Sequence, residues 1–145
     1  MSKIVDFVIK ANLEIDKNEY QEFDLGTVAN SQGQKIASET GIQSIPGAKK
    51  ILTTHAARHA FVGHKSKKSE SDRGQIGITE NDFDFLPDIL ANPTLVERGD
   101  LQNRKNQDVI KFSKNIKGKN YNVLMSVTRS KDGIKLFFNT MFIKK

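Results

Sequence analysis

The hydrophobic and polar positions fall into their clearest order in the last third of the chain. There Val109 to Ile116, Tyr121 to Arg129 and Ile134 to Ile143 alternate with a period of two. The short polar connections Lys117-Gly118-Lys119 and Ser130-Lys131-Asp132-Gly133 suit hairpin turns, so the pattern predicts an antiparallel three-stranded meander. In the last strand the alternation assigns Leu136, Phe138, Thr140 and Phe142 to one face and Lys135, Phe137, Asn139 and Met141 to the other. In the middle strand Tyr121, Val123, Met125, Val127 and Arg129 share a face, and Asn122, Leu124, Ser126 and Thr128 lie opposite. One face of this sheet is therefore polar enough to hold a site.

The earlier pattern is less regular. Ile4 to Ile9 reads as a strand and Tyr20 to Val28 as a second, the two forming an N-terminal hairpin or paired edge. Asn30 or Ser31 is placed to cap a short helix running through Gln34 to Thr40, with Gly41 as its stop. Ser44 and Pro46 announce a longer helix, in which Ile51, Leu52, Ala56, Ala60 and Phe61 recur at helical spacing up to Gly63. HKSKKSESDRGQ has no apolar residue and reads as a loop. Thr79, followed by Glu80, Asn81 and Asp82, starts another helix, which breaks near Pro87 and stops at Asn92-Pro93. Helices first and strands last make an α+β domain, N-terminal helices packed on a C-terminal antiparallel β-sheet built from the meander plus further strands. Residues 1–19 are expected to form an N-terminal extension and residues 20–145 the principal domain.

Composition narrows the field. With 37% apolar and 28% charged residues, the chain matches an ordinary globular domain and has enough apolar mass for a core. No apolar run approaches the roughly 18 residues of a membrane span, and acidic residues interrupt the start where a signal peptide would be apolar. A cytoplasmic site of action is expected, with delivery as part of a larger protein as a second route. Cysteine is absent, which excludes a thiol nucleophile, a disulfide framework and thiolate-bound zinc. The charge is segregated: residues 1–100 carry 12 Lys/Arg against 15 Asp/Glu, a net of −3, and residues 101–145 carry 11 against 2, a net of +9. Such a field suits a polyanion, although a solvated lysine-rich face would also serve solubility.

All three histidines, His55, His59 and His64, lie within ten residues. The first two are four apart, a spacing that puts them on one face of a helix. Three readings follow: zinc chelation, which lacks nearby carboxylates outside a loop; hydrogen-bonded structural histidines; and acid–base chemistry, for which imidazole is suited near neutrality. Arg73, Lys111, Lys114 and Arg129 could neutralise a pentacoordinate phosphorane, and Thr128, Thr140, Ser126 and Asn139 could donate hydrogen bonds to its oxygens. Cleavage of RNA through its own 2′-hydroxyl needs only a base, an acid and charge stabilisation, with no cofactor. Phosphate-loop, dinucleotide-binding and serine-hydrolase motifs are all missing.

The succession DLGTVANSQGQKIASETGI, HAARHAFVGH, DRGQIGITENDFDFLPDILANPTLV and LFFNTMFIKK resembles the phage-associated nuclease domains of the barnase, EndoU, colicin E5/D and RelE-like group, over roughly residues 20–145. The resemblance implies a RelE/barnase-like helical part on an antiparallel sheet, cutting RNA without a metal and commonly acting as a toxin. It matches the family's helix histidine to His59, with His55 as partner, and its strand threonine to Thr140, and leaves the basic group among Arg73, Lys111 and Arg129. Lys111, Lys114, Arg129, Thr128, Asn139 and His64 are the expected RNA or phosphate contacts. Partners expected on this reading are RNA (tRNA, rRNA or mRNA) and an acidic immunity or antitoxin protein, with no membrane. Two other readings stay open: a nucleic-acid-binding module without catalysis, and a His-ligated metallonuclease.

Overall fold

The computed structural model describes residues 3–13, 21–42, 47–57, 75–76, 78–99, 108–131 and 133–144. Among the described residues the helices α1 (Lys3–Leu13), α2 (Asn30–Thr40) and α3 (Leu86–Ala91) accompany the strands β1 (Glu22–Thr27), β2 (Lys49–Thr53), β3 (Gln75–Ile76), β4 (Leu95–Arg98), β5 (Val109–Ile116), β6 (Lys119–Ser130) and β7 (Gly133–Lys144). A 3₁₀ helix, Glu80–Phe85, leads directly into α3. The fold is α+β. Its sheet runs β1-β2-β7-β6-β5-β4 and is mixed, because β2 pairs parallel to β7 while the other neighbours are antiparallel; β3 pairs with the far end of β7.

The meander forms as the alternation predicts. Ile116 pairs with Lys119 across a two-residue loop in which Lys117 (φ 53°) and Gly118 (φ 83°) both take positive φ. That is the backbone a primed hairpin turn demands, and glycine supplies half of it without steric cost. One layer of core lies between the helices and one face of the sheet, where Phe112, Tyr121, Val123, Met125, Leu136 and Phe138 meet Val8, Ile36, Phe83 and Leu86. Thr79 opens the 3₁₀ helix through a capping box with Asp82: its backbone N–H and its hydroxyl donate to Asp82 Oδ2 at 2.7 and 3.2 Å, and the Asp82 N–H returns a bond to Thr79 O.

Two elements differ from the sequence reading. Ile4 to Ile9 belongs to a helix and forms no hairpin; Ile4, Val5, Val8 and Ala11 are buried at the spacing of one helical face, and α1 packs on the 3₁₀ helix. A short apolar run fits either period, and here the recurrence at i+4 and i+7 decides. Of the helix expected from Pro46 to Gly63, residues 49–53 form β2 instead, residues 54–57 are helical, and residues 58–63 lie outside the described residues. Lys50 to Thr53 are buried without interruption, the signature of a strand enclosed on both sides, here by β1 and β7. Similarly, α2 starts at Asn30 with Ala29 as its cap residue and no side-chain capping bond, while Gly41 closes it in the left-handed conformation (φ 77°) as expected. Strand β4 adds an edge beyond the meander.

Candidate active site

The site is built by an irregularity in β7. Leu124 of β6 faces Thr140 but Met125 faces Phe138, so Asn139 is an extra residue without an opposite number. This bulge resets the alternation: Leu136 and Phe138 enter the core before it, Met141 and Ile143 after it. Asn139 and Thr140 consequently both sit on the polar side with Phe137 and Phe142. That corrects the strict alternation, which grouped Thr140 and Phe142 with the core-facing residues and Met141 with Asn139.

The bulge lies opposite a break in the sheet. Strand β2 pairs with β7 only as far as Phe137, and β3 takes up the same edge at Ile143. At the break the chain leaves β2 in the turn at residues 54–57, which is pinned twice. Thr53 Oγ1 accepts from Ala56 N at 3.1 Å, and Thr54 both donates its N–H to Gln21 O at 3.0 Å and accepts from Gln21 N through its hydroxyl at 3.2 Å. The fixed turn presents His55, exposed, to a cleft of about 440 Å³ lined also by Thr53, Ala56, Thr128, Phe137, Phe138 and Asn139. The Asn139 amide donates to Ser126 Oγ and, at 3.2 Å, to Phe137 O, which holds its side chain across the sheet beside the cleft.

Strand register sets a cation next to these groups. Lys135 is the partner of Thr128 on one side and of Lys49 on the other. Cross-strand neighbours lie about 5 Å apart at Cβ, so the Lys135 side chain starts beside Thr128. Neither lysine stood out in the sequence, although Lys135 shares the predicted face of Phe137 and Asn139.

Of the sequence-derived candidates, the fold brings together His55, Thr128 and Asn139. Thr140 sits beside Asn139 on the bulge and opposite Leu124, outside the cleft lining. The other cations are elsewhere. Lys111 lies on the polar face, 3.3 Å from Glu97. Lys114 reaches Asp88 Oδ2 at 3.1 Å and donates to Asn92 O at 2.9 Å, tying β5 to the end of α3; that bond is the main reason the Asp88 carboxyl lies below its ordinary range. Arg129 shares Asp108 with Arg98, at 3.3 and 2.5 Å. His59, His64 and Arg73 lie outside the described residues, as does most of the HKSKKSESDRGQ loop. Among the described residues, no three His, Asp or Glu side chains converge as metal ligands, and no helix is long and apolar enough to cross a membrane.

The cleft thus gathers an exposed histidine, a threonine and an asparagine on the sheet of an α+β domain. The chain belongs to the phage-Barnase-EndoU-ColicinE5/D-RelE like nuclease 3 family, whose model matches residues 26–145. No curated protein and no solved structure gives a significant match.

Proposed function

We propose that this domain is a metal-independent endoribonuclease that cleaves RNA by transesterification, with the cleft at the β7 bulge as its active site. The observation that carries the reading is the convergence of His55, Thr128 and Asn139 in one cleft of a nuclease-family domain. In the first step imidazole takes the proton of the 2′-hydroxyl, whose oxygen attacks the adjacent phosphorus. The P–O5′ bond breaks, a general acid protonates the departing 5′-oxygen, and the upstream strand is left with a 2′,3′-cyclic phosphate. His55 and His59 are proposed as the proton-transfer pair. The Thr128 hydroxyl and the Lys135 ammonium face the charge that develops on the phosphorane oxygens, and Asn139, whose two amide N–H groups go to Ser126 and Phe137, shapes the cleft wall beside them. Thr140 supports the bulge that aims Asn139, and Arg73 and His64 are proposed as further phosphate contacts.

Incubating the protein with total RNA in excess chelator tests this directly. Products with 2′,3′-cyclic ends are expected. Cleavage only after metal is restored would replace the reading with a metallonuclease, and binding without cleavage would leave a nucleic-acid-binding module.

A toxin role follows from the same activity. A cell holding such an enzyme needs a block, and the +9 surplus of residues 101–145 favours an acidic immunity protein that competes with RNA for the same cations. Slowed growth on production of the wild-type chain, abolished by His55→Ala, is the expected outcome.

A further inference from the structure

A second cleft, of about 320 Å³, lies on the polar side of the sheet toward the other end of β6, lined among others by Lys111, Ser113, Asn120, Asn122, Lys144 and Glu97. The active-site chemistry uses none of these groups. Their mutual hydrogen bonds leave a one-sided remainder. Ser113 Oγ donates to Asn122 Oδ1 at 2.8 Å, Asn122 Nδ2 donates to Asn120 O at 3.1 Å, and Asn115 Nδ2 donates to Asn120 Oδ1 at 2.9 Å. Each amide oxygen named in this ladder already accepts one bond, while among the described residues nothing accepts from the Asn120 amide N–H groups. Lys144 pairs in register with Asn120, and its ammonium sits 5.9 Å from the centre of the Phe142 ring with no carboxylate beside it among the described residues. Lys111 adds a second ammonium at the β4 side and Lys114, held to Asp88, a third, and among the described residues Glu97 is the one carboxylate in the lining. What the cleft has to offer a ligand is mainly donors and positive charge.

Thr128, in the active-site cleft, and Asn122, in this one, are six residues apart on the same face of β6, a span of about 20 Å at strand rise. A nucleic-acid strand crossing the sheet between them would be several nucleotides long. We propose that the second cleft binds a backbone phosphate of the substrate strand several nucleotides away from the scissile bond, so that the enzyme acts on oligonucleotides in preference to dinucleotides. This rests on the assignment of the β7 bulge as the nuclease site.

The test separates the two. A fluorescent single-stranded DNA decamer lacks the 2′-hydroxyl, so its binding can be followed by anisotropy across a salt series without cleavage. Lys111→Gln with Lys144→Gln should weaken decamer binding about tenfold at low salt and lower the log–log salt slope by about 0.7, the single-strand value for one phosphate contact. Glu97→Gln should tighten it severalfold, an effect that misfolding would not imitate. Cleavage of a dinucleotide should be unchanged in both variants. Decamer affinity and slope equal to wild type in the lysine double variant overturn the proposal, whether or not the protein cuts RNA. Wild-type decamer binding that depends on these lysines, in a protein that cuts no RNA, sustains the phosphate cleft and overturns the nuclease assignment instead.

Discussion

The Tyr121 hydroxyl donates to Asp82 Oδ1 at 2.6 Å inside the core, so the carboxylate that caps the 3₁₀ helix through Thr79 is also the anchor of the central strand β6. One aspartate joins the helical layer to the sheet. Removing the phenol oxygen leaves a buried acceptor short of a partner, so Tyr121→Phe should cost about 1–3 kcal/mol in chemical denaturation. A variant as stable as the parent would show that the bond is not a structural joint.

The same pair sets a pH response. Burial first, then the bond to Asp82 and its negative charge, push the Tyr121 phenol well above its ordinary value near 10. The native state therefore holds this proton after the unfolded state has lost it. The stability it contributes is complete below pH 10 and declines as pH rises through and beyond that value. Absorbance titration at 295 nm should show a delayed tyrosinate step that is missing in Tyr121→Phe, and stability above pH 10 should fall less steeply in the variant than in wild type.

Catalysis should respond to the groups at the cleft and not to distant cations. His55→Ala is expected to lower RNA cleavage by about 10²-fold or more, and Thr128→Ala and Asn139→Ala by smaller factors, with the circular dichroism spectrum retained. Lys114→Ala should leave dinucleotide cleavage within about twofold and instead lower thermal stability slightly, because its exposed pair with Asp88 is of the kind worth under about 1 kcal/mol. Loss of activity in Lys114→Ala at unchanged stability would return that lysine to the substrate path.

The bulge itself can be tested by deletion. Without Asn139, Phe138 and Thr140 become neighbours in regular alternation, each still opposite its present partner, Met125 and Leu124. The deletion variant should fold, with a Tm within about 5 °C of wild type, roughly what 1 kcal/mol is worth in a domain of this size. It should lose most activity, because the amide beside Thr128 and His55 has gone. Full activity would mean that the bulge is incidental.

Gly99 is a packing constraint. A Cβ there would lie 2.9 Å from Val109 Cγ1 and 3.0 Å from Leu124 Cδ2, both on buried side chains. Gly99→Ala should destabilise the protein by about 1–3 kcal/mol while leaving the RNA-binding salt slope unchanged.

The meander, its turns, the Thr79 helix start and the Gly41 stop were legible because each rests on local chemistry, a period of two or a capping residue. Ile4 to Ile9 and Ile51 to Thr53 were not, because short apolar runs satisfy both periods and the outcome depends on partners far along the chain: the 3₁₀ helix for α1, β1 and β7 for β2. His55, Thr128 and Asn139 could be picked out by residue type and face. Their convergence could not, since the bulge that turns Asn139 and Thr140 to the same side leaves no mark in an otherwise regular strand. Lys135 was hidden for a related reason, being one lysine among many until the register set it beside Thr128.

The parallel pairing of β2 with β7 joins residues 49–51 to 135–137, which are more than eighty positions apart. Contacts of such long range form late, after the loop between them has closed. During synthesis β1, β2 and the His55 turn leave the ribosome well before β7 exists to complete the cleft, with β6 still to gain its second neighbour. The cleft is therefore incomplete on the ribosome until Phe137 to Asn139 have emerged and docked.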